Sequence, residues 1–238
     1  MRKVGFSAGC MYKLGMTHKE LIEIYRSFSV DTVELSFARL DDLAKFNLDR
    51  DFINQTKAYG HVSIHAPWKE IRYGKNEETK NTIARLTELC DNLDIAGIVI
   101  HPDTVEDFQI LENSNLNFLI ENMDTRKKFG FKPEEFERLK RDYSFGFVLD
   151  VEHAYRHDSS MKLAEELMEV MGNRLKQLHV SGQDFTSKHH SLLYKADNRT
   201  EICKILGRSP DVPWILEGIL SQNFEEEIKR ELEFIRLR

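Results

Sequence analysis

The chain alternates short apolar runs with longer stretches in which apolar residues recur every three to four positions. The short runs read as buried strands and the longer ones as amphipathic helices. Lys3–Ala8 is the first expected strand, and Thr17, with Glu20 three residues on, caps a helix that reaches about Ser27. Thr32–Leu35 is the second strand, followed by polar helical segments from Leu40 to Tyr59. Val62–His65 is the third, and Glu77–Leu93 is a helix with Ile83, Leu86, Leu89 and Cys90 on one face. Gly97–His101 and Asn117–Glu121 are strands four and five, and a proline opens the helix Pro133–Arg141. Phe145–Asp150 is strand six, Met161–Met171 a helix and Leu175–Ser181 strand seven. A polar stretch holding Lys188, His189 and His190 precedes a short helix at Arg199–Leu206. Val212–Glu217 is strand eight, and Asn223–Leu237 is the closing helix.

Strands that alternate with helices lie parallel, joined by right-handed crossovers. Eight such strands in 238 residues predict an α/β protein, a single (β/α)8 TIM barrel over residues 1–238, with an open doubly wound sheet as the alternative.

Composition adds little to this picture. At 41% hydrophobic and 31% charged the chain is ordinary for a globular domain, and no apolar run is long enough to cross a bilayer. Residues Met1–Phe6 lack the features of a signal peptide, and the three cysteines, Cys10, Cys90 and Cys203, are odd in number and far apart. The expectation is a cytoplasmic protein with reduced thiols and no membrane partner. A net charge of −6 carries no broad basic surplus for nucleic acid, although a local basic groove is compatible with it.

The chemistry shows at the strand ends. Strand three ends at His65, strand four at His101, strand five at Glu121, strand six at Asp150, strand seven carries His179, and strand eight ends at Glu217. Asp, Glu and His together make up about one residue in five, so six consecutive strands ending this way is improbable by chance. Barrel enzymes build their sites from the carboxyl ends of the strands, where these side chains converge. Any one of them alone reads better as a turn residue or helix cap. Mixed imidazole and carboxylate donors suit Zn, Mn, Co or Fe better than Mg or Ca.

With these residues the chain resembles the xylose isomerase-like barrel superfamily, which joins sugar isomerases and epimerases with the endonuclease IV family. The resemblance runs through Ser63-Ile64-His65-Ala66-Pro67, Val99-Ile100-His101-Pro102, Ile120-Glu121-Asn122, Asp150-Val151-Glu152-His153, Leu178-His179-Val180 and Leu216-Glu217. In the isomerase branch it implies one divalent metal on Glu121, Asp150, His179 and Glu217, with Glu121 and Glu217 as the acid/base pair and His153 touching a small sugar-like substrate. The strand-two fragment Val33-Glu34-Leu35 looks like that branch. In the endonuclease IV branch it implies further zinc ligands at His65, His101, His153 and either His189 or His190, with abasic-site DNA as substrate. That branch has an Asp-x-His element after strand seven, whereas Ser187 and Lys188 stand two residues before the two histidines here, so a carboxylate is missing. Glu34, Trp68 and Glu152 are further candidates for substrate contact, although Trp68 reads equally well as packing. The run Arg126-Lys127-Lys128 reads first as a solvated loop, with a phosphate contact as its alternative. The leading expectation is a metal-dependent sugar isomerase or epimerase working through an enediolate. An endonuclease IV-like phosphodiesterase comes second, and a binding barrel without catalysis third.

Overall fold

The structure, a computed structural model, describes residues 2–186 and 190–237. His189, one of the two candidate ligands after strand seven, lies outside the described residues. The strands are β1 (Val4–Ser7), β2 (Thr32–Ser36), β3 (His61–His65), β4 (Ile95–Ile100), β5 (Phe118–Glu121), β6 (Gly146–Asp150) and β7 (Leu175–Val180), then β8 (Gly182–Gln183), β9 (His190–Ser191) and β10 (Trp214–Leu216). β1 to β7 and β10 close a parallel barrel in the order β1-β10-β7-β6-β5-β4-β3-β2, while β8 and β9 pair as a small antiparallel ribbon. The single (β/α)8 barrel expected from the alternation is what forms.

The helices are α1 (His18–Ser27), α2 (Leu40–Lys45), α3 (Arg50–Thr56), α4 (Glu77–Asn92), α5 (Phe108–Glu112), α6 (Pro133–Asp142), α7 (Val151–His157), α8 (Lys162–Met171), α9 (Arg199–Leu206) and α10 (Phe224–Arg236). Thr17 caps α1 in a full capping box with Glu20, as its spacing predicts. α5 and α7 are additions to the expected plan. α7 begins where Asp150, ending β6, turns its side chain back to accept the backbone N–H of His153 at 2.8 Å. Among the described residues no helix is long and apolar enough to cross a membrane.

The core has two parts. Outward-facing residues such as Ile64, Ile100, Phe118, Phe147, Leu149 and Leu216 pack against the helices. Inside the barrel, Val99, Leu119 and Val148 form a small separate cluster. Side chains alternate along a strand, so the residue two positions after an inward one also points inward. Val99, Leu119 and Val148 are thus followed by His101, Glu121 and Asp150, and Ser63 and Gln177 by His65 and His179. The strand-end donors form one inward layer, resting on the layer beneath.

Candidate metal centre

Glu121, at the end of β5, is the hub. It is buried, and its two carboxylate oxygens face different partners. Oε2 lies 3.3 Å from Nε2 of His65 and 3.0 Å from Nε2 of His101. Oε1 lies 2.6 Å from Nδ1 of His179, which is also 3.4 Å from Oε1 of Glu217. Two donor sets therefore share this carboxylate: His65, His101 and Glu121 form one, and Glu121, Asp150, His179 and Glu217 the other, each with ligand atoms within 4.8 Å of one another.

A third set joins Glu152, His153 and His190 within the same span. It brings a carboxylate beside two histidines. α7 carries Glu152 two residues past Asp150 and one before His153, so a carboxylate arrives from the strand-six side. Its Oε1 accepts from Arg156, and its Oε2 lies 3.9 Å from Nε2 of His190. Glu152 has no exposed surface and stands with these two histidines.

Backbone and side-chain hydrogen bonds aim the donors. His65 Nδ1 donates to the carbonyl of Ala66 at 3.1 Å, and His153 Nδ1 to the carbonyl of Asn122 at 2.8 Å, which leaves Nε2 of each ring as the free nitrogen. Asn122, passed over as a site residue in the sequence reading, ties β5 to β6. Its amide donates to the carbonyl of Asp150 at 2.9 Å and accepts the Asp150 N–H at 2.7 Å. His190 sits on the β8–β9 ribbon with Nδ1 2.8 Å from the Ser181 hydroxyl. The segment after it is held by Glu231 of α10, whose carboxylate accepts the N–H groups of Leu193 and Tyr194 at 2.7 and 2.9 Å.

The donors fit a cation. Among the described residues, Asp150 Oδ2, Glu152 Oε2 and His101 Nδ1 are buried without a hydrogen-bond partner, which is costly for polar atoms unless an ion or water meets them. Burial, with the charges of Glu121 and Asp150, pushes the Glu217 carboxyl up to about 8 despite the opposing pull of His179. Burial and the neighbouring Asp150 likewise push Glu152 up to about 7. Too many carboxylates share too few positive charges, and a divalent ion is the group that relieves this.

The centre opens on a cavity of about 1060 Å³ at the carboxyl ends of the strands. Trp68 walls it, its ring 4.6 Å from that of His65 and 5.5 Å from that of His101. Arg126 and Lys127 also line it, each donating to an acid, Asp124 and Asp103 respectively. Glu34 does not reach this space. It is buried in the layer beneath, under His179, where the structure places it apart from the cavity lining.

No family profile and no curated protein sequence matches the chain. Solved structures do. Endonuclease IV from Thermus thermophilus matches at 17% identity over 99% of this chain and 100% of its own, with a TM-score of 0.73. A D-tagatose 3-epimerase-like protein matches at 17% identity over 100% and 96% of the two chains, also at 0.73. The IOLI protein with a bound zinc atom matches at 15% identity over 99% and 96%, at 0.71. These likenesses show the fold, a closed (β/α)8 barrel shared with these proteins over nearly the whole chain.

Proposed function

We propose that the protein is a metal-dependent hydrolase of phosphate esters whose centre would take at least two divalent ions, with Glu121 offering one oxygen to each of two donor sets. One observation carries this reading: the two oxygens of Glu121 face two separate sets of donors. His65 and His101 are more than a one-ion site on Glu121, Asp150, His179 and Glu217 requires. Ions held there would supply charge stabilisation for displacement at phosphorus.

The chain's own residues do the rest. His65 and His101, with Glu121, would hold one ion, and Asp150, His179 and Glu217, with Glu121, would hold the other. Zn, Mn, Co and Fe all suit these donors. Glu152, His153 and His190 offer a further position next to the second. Trp68 gives the cavity a flat apolar wall for a base or sugar face. Arg126 and Lys127 stand where a phosphate would approach, already oriented by Asp124 and Asp103. Among phosphate esters the first to test is a phosphodiester at an abasic site in DNA, in line with the structural likeness to an endonuclease IV.

The quartet Glu121, Asp150, His179 and Glu217 also stands as a complete four-donor group. That favours a second reading, proton transfer on a small sugar with Glu121 and Glu217 as the acid/base pair, in line with the likeness to a 3-epimerase-like protein. In this reading Glu121 must free an oxygen now facing imidazole. The metal-loaded protein, incubated with an end-labelled duplex carrying one abasic site, separates the two. Strand cleavage that stops on chelation is expected. No cleavage by fully loaded protein, together with solvent deuterium entering a ketose, would replace the first reading by the second.

A further inference from the structure

Beneath the metal-facing layer lies a carboxylate that the reading above leaves without a task. Glu34, on β2, has no exposed surface. It sits beside Ser63 of the neighbouring strand in the β2–β3 register, inside the barrel. Its Oε2 accepts from the Ser63 hydroxyl at 3.0 Å and from the Gln177 amide at 2.7 Å, and lies 3.2 Å from Nε2 of His179. Among the described residues its Oε1 has no hydrogen-bond partner. A carboxylate taken wholly out of water costs several kcal/mol unless charge and hydrogen bonds oppose it, and a Met would fill the same space without that cost.

The ring of His179 is the charge-bearing group in reach. Its Nδ1 faces Glu121 and Glu217, and its Nε2 faces Glu34. The Gln177 amide nitrogen is also 3.0 Å from Nε2 and would favour a bare nitrogen there. The two pulls compete for one ring proton. The Gln177 amide nitrogen also donates to Glu34, and its Oε1 is 3.1 Å from Nε2 of His61, so both ends of the amide are held. Nδ1, 2.6 Å from Glu121, is the nitrogen that would ligate an ion in the quartet; once it does, the remaining ring proton is on Nε2, where the Glu34 carboxylate is the charged acceptor in reach.

We propose that Glu34 is the positioning residue of His179: it accepts the Nε2–H and thereby leaves the Nδ1 lone pair facing Glu121, Asp150 and Glu217. Gln177, anchored through His61, holds Glu34 in place for this. The assignment rests on reading that quartet as a metal site. It does not depend on which reaction the site performs. Ligating histidines commonly hold their second ring nitrogen this way, and losing the partner weakens metal binding about 10- to 100-fold.

The test uses Glu34→Gln, which removes the charge but keeps an acceptor, and Glu34→Met, which removes both. Each is prepared metal-free and titrated with Co²⁺ against a chromophoric chelator. Affinity is expected to fall by about 10-fold in E34Q and toward 100-fold in E34M. The visible Co²⁺ spectrum should shift in both. Wild-type affinity and spectrum in E34M would overturn the proposal. If neither variant folds, ¹⁵N NMR of the imidazoles in the zinc-loaded wild type decides: a proton on Nε2 of His179 supports it, and a proton on Nδ1 overturns it. These readouts involve no turnover, so their failure and the failure of phosphate-ester hydrolysis are separate results.

Discussion

Oε1 of Glu121 lies 2.6 Å from Nδ1 of His179, while its other oxygen is turned to two further imidazoles. One carboxylate is thus fixed from both sides before any ion enters. Replacing it removes a donor from two clusters at once. Glu121→Gln should bind markedly less metal at both positions, whereas Asp150→Asn should impair only the quartet. Elemental analysis after saturation and desalting checks this, and an equal loss in the two variants would contradict the shared role.

His101 belongs to a single cluster. His101→Ala should therefore lose one ion per chain and keep the other, with phosphoester turnover down on the order of 10²–10³-fold, the usual cost of removing one transition-state charge contact. Unchanged turnover in this variant would return the second reading to first place.

Metal should also stabilise the fold, because Glu34, Glu121 and Asp150 are buried acids in close company. At a free ion concentration 100 times the dissociation constant, one site adds about 2.7 kcal/mol. In a domain of this size that corresponds to a Tm about 5–10 °C higher. Thermal melting with and without chelator reads it directly, and coincident curves would speak against ions in the buried quartet.

Glu231 makes a prediction away from the centre. Burial pushes its carboxyl from the ordinary 4.5 up to about 7, against the pull of two backbone N–H groups. A folded-state value above the unfolded one means that the contribution is full below about 4.5 and is lost as pH rises through about 7. The loss amounts to at most about 3 kcal/mol. Glu231→Gln lacks this term, so its stability relative to wild type should improve between pH 5 and pH 8. A difference that stays flat with pH would show that the carboxylate is not held as described.

Much of this was legible in the sequence. The six strand-end donors stand where the apolar runs stop, because a side chain that must face the cavity ends the buried stretch. What escaped was direction. Strands of a parallel barrel are buried on both faces, so Val33-Glu34-Leu35 does not say whether Glu34 points to the helices, the cavity or the layer beneath. It points to the last. α7 escaped because Asp150 serves both as strand end and as helix cap, so Val151–His157 has no separate start signal. With that helix unseen, the arrival of Glu152 beside His190 could not be read. Asn122 gave no periodic signal at all, since its work is to bridge two backbones. His190, left open against His189, is placed by the β8–β9 ribbon against His153 and Glu152.

The most direct test of the central claim is a count of ions. Purified protein is stripped, reloaded with excess Zn²⁺ or Mn²⁺, desalted and analysed for metal per chain. Two or more ions per chain are predicted, falling by one in His101→Ala. A single ion per chain at saturation, unchanged in that variant, would contradict the proposal that Glu121 serves two ions and the hydrolase built on it.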